Sequence, residues 1–155
     1  MPLDRRWIES RIPHRGSMCL LDEVLEWDAE HILCRSGTHR AADNPLRAGK
    51  HIGIACGIEY AAQAMAVHGA LSQEAAATGL ATLTPAAGFL AGVRNVQFYI
   101  DHLDEIQDDL ICHAVRLAGD SGSALYEFEL RGANRTLLRG RATVVLDAGE
   151  QLKAP

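Results

Sequence analysis

The chain has 155 residues, 48% of them hydrophobic and 23% charged, with a formal charge of −5. That composition suits one soluble domain with a core of its own, and the acidic balance gives no basic footprint for nucleic acid. No charge-free apolar run reaches the ~18 residues that span a bilayer, and MPLDRRWIES carries charges where a secretion signal needs an apolar stretch, so a cytoplasmic protein is expected.

RWIESRIPHRG, with Pro13 and Gly16, predicts a short helical turn followed by irregular chain. SMCLLDEVLEWD and EHILCRSGTH read as two strands joined by a turn at Asp28, Ala29 and Glu30. Arg40 to Cys56, with two glycines and a proline, predicts a long loop. Loops of that length without structure of their own are uncommon and are often functional. A helix starts at Gly57, with Ile58, Ala61, Ala62, Met65, Ala66 and Gly69 on its apolar face and Gly79 as its stop. Beyond Pro85 come four strand-like stretches: AGFLAGVRNVQFYI, DLICHAVRLAGD, SALYEFELRG and TLLRGRATVVL. In the third, Tyr126, Phe128 and Leu130 alternate with Glu127 and Glu129, the period of a half-buried strand. GDSG and GAN supply turns, and DAGEQLKAP reads as a frayed tail.

One buried helix among six strands implies an α+β fold: a curled antiparallel sheet wrapped around a long central helix, the hotdog shape. The chain is expected to form a single domain with its core over about 11–146. A lone helix on one sheet leaves an edge or face for a second subunit, so a dimer is expected.

The helix is apolar on nearly every side, yet Glu59 stands near its start and Gln63 one turn on. Burying a carboxylate costs several kcal/mol unless it is paired or neutralised. An ionised carboxylate in a first turn is also worth ~0.5 kcal/mol to the helix, so position alone leaves both roles open. Cys19, Cys34, Cys56 and Cys112 form no CxxC pair and read as reduced, mostly buried thiols. The seven histidines show no HxxxH or HExxH, and no metal site is signalled. His68 and His113 read as structural.

Two motifs sharpen this. IPHRGSMCLLDEVLEWD is similar to the N-terminal signature of the β-hydroxyacyl-acyl-carrier-protein dehydratases, and EYAAQA resembles the Glu-x-x-x-Gln-Ala run on their central helix. GIEYAAQAMA and GFLAGVRNVQFY resemble more closely the divergent dehydratase-like hotdog proteins of aryl-polyene gene clusters, and the likeness covers about Arg11 to Leu146. The resemblance implies a 3-hydroxyacyl thioester substrate, on acyl carrier protein or coenzyme A. Glu59 matches the helical acid that protonates the departing hydroxyl. The family's His-x-x-Gly-x-Pro-x-x-Pro-Gly loop is absent; KHIGIACG stands in its place and offers His51 as the base that takes the C2 proton.

Other residues follow from that frame. The Gly57 amide, at the positive end of the helix, would polarise the thioester carbonyl. Gln63 would orient Glu59 or bond a loop backbone, and His14 is the reserve base or a packing residue. Lys50 and Arg47 would meet a phosphopantetheine phosphate or stay solvated. No cofactor is needed, because loss of water requires only proton transfers. Two other readings stand beside dehydration: thioester hydrolysis, with Glu59 activating water, and a non-catalytic hotdog subunit that completes a partner. The expected partners are therefore an acyl thioester and a second hotdog subunit, in a homodimer or heterodimer.

Overall fold

The computed structural model describes residues 3–76, 88–120 and 122–146. A short helix, α1 (Arg5–Glu9), is capped by Asp4, whose side chain accepts from the Trp7 amide. Strands β1 (Glu23–Trp27) and β2 (His31–Ser36) form a hairpin. Its turn is held by Asp28 Oδ1, which accepts from the Glu30 and His31 amides at 2.8 and 2.9 Å. The long helix α2 (Gly57–Ala76) follows, then β3 (Gly88–Phe98), β4 (Leu110–Gly119), β5 (Ser123–Gly132) and β6 (Arg135–Leu146). The strands make one sheet in the order β1-β2-β4-β5-β6-β3, antiparallel throughout. This is the hotdog arrangement the sequence implies.

The alternation read from β5 sets its inner face: Ala124, Tyr126, Phe128 and Leu130 are buried, as are Leu110, Cys112 and Ala114 on β4. Helix α2 packs on this face against β2, β4 and β5. Its first residue must be small, because a Cβ on Gly57 would lie 2.5 Å from Leu138 Cδ2 and 2.8 Å from Leu130 Cδ2. Glycine thus lets the helix start touch the sheet.

Two expectations change and the long loop gains detail. The strand expected from Ser17 begins only at Glu23, because Gly16–Met18 is a 3₁₀ turn and the Leu20 amide bonds to the Gln63 side chain rather than to a neighbouring strand. The loop from Arg40 to Cys56 is ordered by its own polar groups: Asn44 Nδ2 donates to the Thr38 carbonyl and the Tyr60 hydroxyl, at 2.9 and 3.0 Å. On α2, the deeply buried residues are Tyr60, Ala61, Gln63, Ala64, Met65, Val67, His68 and Leu71. Ile58, Ala62, Ala66 and Gly69 are only half-buried. Alanine on all sides blurs the periodicity that would have set the face. The expected stop at Gly79, the boundary at Pro85 and the tail DAGEQLKAP lie outside the described residues.

The β5–β6 turn places Ala133 and Asn134 at φ 53° and 61°. Asparagine tolerates that left-handed region and alanine does not, so Ala133→Gly is expected to stabilise the protein by about 0.5–1 kcal/mol. A higher urea midpoint at unchanged slope would show it.

Candidate active site

The loop before α2 is built around a tight turn. Ala48 and His51 exchange both backbone hydrogen bonds, at 2.8 and 3.1 Å, across Gly49 at φ 63°. Beyond it, residues 52–54 run beside the segment after β3: the Leu103 amide donates to Ile52 O at 2.8 Å, and the Ile54 amide to Asp101 O at 2.9 Å. Ile52 and Leu103 are buried beneath this pairing. His51 is therefore exposed but carried on fixed backbone.

His51 Nδ1 lies 2.9 Å from Asp104 Oδ2, while Asp104 Oδ1 accepts from the Ile52 amide at 2.8 Å. Desolvation pushes the Asp104 carboxyl up, but the Ile52 amide and the His51 ring together hold it below the ordinary carboxylate value. The His102 ring stacks on His51, centroids 4.3 Å apart and 24° from parallel. Sequence reading missed Asp104 and His102, since a contact across 53 residues leaves no local signal.

Glu59 is exposed in the first turn of α2, and no hydrogen bond or ion pair engages it among the described residues. Of the two roles its position leaves open, this chain alone supplies no burial for the carboxylate. Gln63 is buried and fully engaged: Oε1 accepts from the Leu20 amide and Nε2 donates to Met18 O, both at 2.8 Å. Of the two roles expected of Gln63, orienting Glu59 or bonding a loop backbone, these bonds are the second, and they occupy both ends of the amide. The Gly57 N–H donates back into the Ile54–Cys56 turn, toward the Ile54 and Ala55 carbonyls, so the glycine contributes close packing rather than a free oxyanion donor. His14 is half-buried, and its Nδ1 has no hydrogen-bond partner among the described residues. Among the described residues no hydrogen bond, ion pair or ring contact joins His14, His51 and Glu59 to one another. Arg47 donates to the carbonyls of His39, Ala41 and Lys50, which ties it to the loop; Lys50 stays exposed beside His51.

All four cysteines are free, and burial pushes the Cys34 thiol up to about 12 and raises the Cys112 thiol opposite it. His68 is buried: Nε2 donates to Asp28 O at 2.8 Å, which leaves Nδ1 to accept from the Tyr126 hydroxyl at 2.6 Å. Burial lowers the pKa of both His68 and His39 from the ordinary 6.5. The unfolded chain then binds more protons than the folded one just below that value, so stability is full above it and falls as pH drops. Desolvation lowers His31, but its bonds to Asp28 and Glu26 outweigh this and raise it, an opposing effect that solvent screens. Urea midpoints should therefore fall on acidification below the ordinary histidine value, and less steeply in His68→Gln.

Among the described residues no helix is long and apolar enough to cross a membrane. A chain of the dehydratase heterocomplex ApeI:P from Xenorhabdus doucetiae is similar in structure, with TM-score 0.79 and 21% identity, covering 94% of this chain and 95% of that one. Zebra fish thioesterase superfamily member 2 is similar at TM-score 0.63 and 14% identity, covering 92% and 94%. A thioesterase from Haemophilus influenzae reaches TM-score 0.56 at 9% identity, covering 80% and 76%. These likenesses show the fold. No curated protein matches the sequence. The family model for ApeP-like proteins, described as ApeP dehydratase, matches residues 6–153, and the chain belongs to that dehydratase family.

Proposed function

We propose that this dehydratase removes water from a 3-hydroxyacyl thioester carried on acyl carrier protein or coenzyme A, in polyene-type synthesis. His51 Nε2 takes the C2 proton, the C3–O bond breaks, Glu59 delivers a proton to the departing hydroxyl, and the C2=C3 bond forms as water leaves. One observation carries the reading: over residues 57–73 of α2 every residue but Glu59 is buried or half-buried, and this carboxylate of the first turn is open and, among the described residues, unpaired.

The site is completed by a second hotdog subunit. Strand β3 ends the sheet and exposes Leu90, Val93 and Phe98, with Tyr99 just beyond. The half-buried flank of α2, Ile58, Ala62 and Ala66, stands open as well. A subunit covering both would exclude water from Glu59, which an acid donating to a hydroxyl requires. The ApeI:P neighbour is itself a heterocomplex, which supports a hotdog partner here.

The test is turnover of 3-hydroxyacyl thioesters by the full chain, alone and copurified with its hotdog partner. Enoyl absorbance and thiol release are followed together. Enoyl product without thiol supports dehydration; thiol without enoyl means hydrolysis and overturns it.

A further inference from the structure

Resting on the reading of His51 as the base, we propose that Asp104 is its positioning residue: it fixes the imidazole as the Nδ1–H tautomer and leaves Nε2 bare toward the substrate. A carboxylate only accepts hydrogen bonds, so the proton of the 2.9 Å contact sits on His51 Nδ1. The ring's other nitrogen then carries a lone pair and can take a proton. Asp104 is itself held, because its second oxygen accepts from the Ile52 amide at 2.8 Å, one residue from the ring it orients. Its side chain is 18% exposed while that of His51 is 58% exposed, so the anchor is sheltered and the working ring is accessible.

His102 supplies a further constraint. Its ring lies 4.3 Å from that of His51 and 24° from parallel, and Gly53 pairs with His102 across the two backbone segments. The ring plane is thus set by stacking on one face and by Asp104 at one edge. Among the described residues the titratable side chains that bond or stack with His51 are Asp104 and His102. An ion pair this exposed contributes little to stability, so its geometry matters chiefly for what it does to the ring. In the proposed step the C2–H bond breaks, its proton passes to His51 Nε2, and Asp104 stays ionised and steadies the imidazolium.

Asp104→Asn tests this with little change in shape. The asparagine Oδ1 keeps the Ile52 bond, and its NH₂ then faces His51 Nδ1. That donor forces the proton to Nε2, where it blocks the base. Nitrogen-15 spectra of histidine in the full chain, taken where the ring is neutral, should show the Nδ1–H tautomer at His51 in the wild type and the Nε2–H tautomer in Asp104→Asn. In the active assembly, kcat should fall on the order of 10²-fold with KM little changed, and Asp104→Glu should recover part of it. The wild type showing Nε2–H, the variant keeping the wild-type tautomer, or full turnover despite the switch would each overturn the proposal. If the wild type has no dehydratase turnover, the proposed function fails while the spectra still decide whether Asp104 sets the tautomer.

Discussion

Replacing Glu59 by glutamine is expected to lower kcat/KM for dehydration by about 10²- to 10⁴-fold while costing no more than the ~0.5 kcal/mol of its helix-end charge in unfolding. Both halves follow from the same geometry. The carboxylate makes no hydrogen bond or ion pair among the described residues, so its loss removes no such contact from the fold. Glutamine keeps the shape and the polarity but has no acidic proton to give the departing hydroxyl. A residue kept only to favour the helix dipole would show the same small loss of stability with full turnover. Turnover, measured beside unfolding on one preparation, separates the two.

Gln63 behaves in the opposite way. Gln63→Leu should cost about 2–4 kcal/mol, read as a fall in urea midpoint at constant slope. The side chain satisfies the Leu20 amide and the Met18 carbonyl together, each at 2.8 Å. Leucine fills similar space and leaves the buried Leu20 N–H without a partner, and such a group bears its full desolvation penalty. Cys19, Leu20 and Leu21 are all buried, so the segment cannot turn outward to find water without giving up core packing. Gln63→Glu should be comparably harmful near neutrality, since a buried carboxylate would face the Met18 carbonyl where the amide donated. A loss below about 1 kcal/mol in the leucine variant would mean the segment is held by packing alone.

The fold was readable because its two periods are clear where they matter. Tyr126, Phe128 and Leu130 alternate with glutamates on β5, and the inner face of the sheet follows from them. The order of two strands, a loop, a helix and four strands then leaves few ways to cover one long helix. The family motifs placed Glu59 on that helix, and the structure puts it on the side this chain leaves open. The rest depended on distant contacts. Arg47 looks like a solvated loop cation until the carbonyls of His39, Ala41 and Lys50 are seen around it. The strand start near Ser17 fails because a glutamine in the second turn of α2 draws the chain away from the sheet. Asp104 sits in DHLDE, an ordinary acidic turn in sequence, and gains meaning only when the pairing of residues 52–54 with 101–103 brings it to His51.

The central claim is that Glu59 and His51 act on the same thioester in one reaction. A double-mutant cycle with Glu59→Gln and His51→Asn, measured as kcat/KM for enoyl formation by the assembled enzyme, tests it most directly. Groups that work as one unit give strongly non-additive losses. The account predicts that each single variant loses about 10²-fold or more, and that the double variant is little worse than the weaker single. Losses that multiply in the double variant, or wild-type turnover in either single variant, would contradict it.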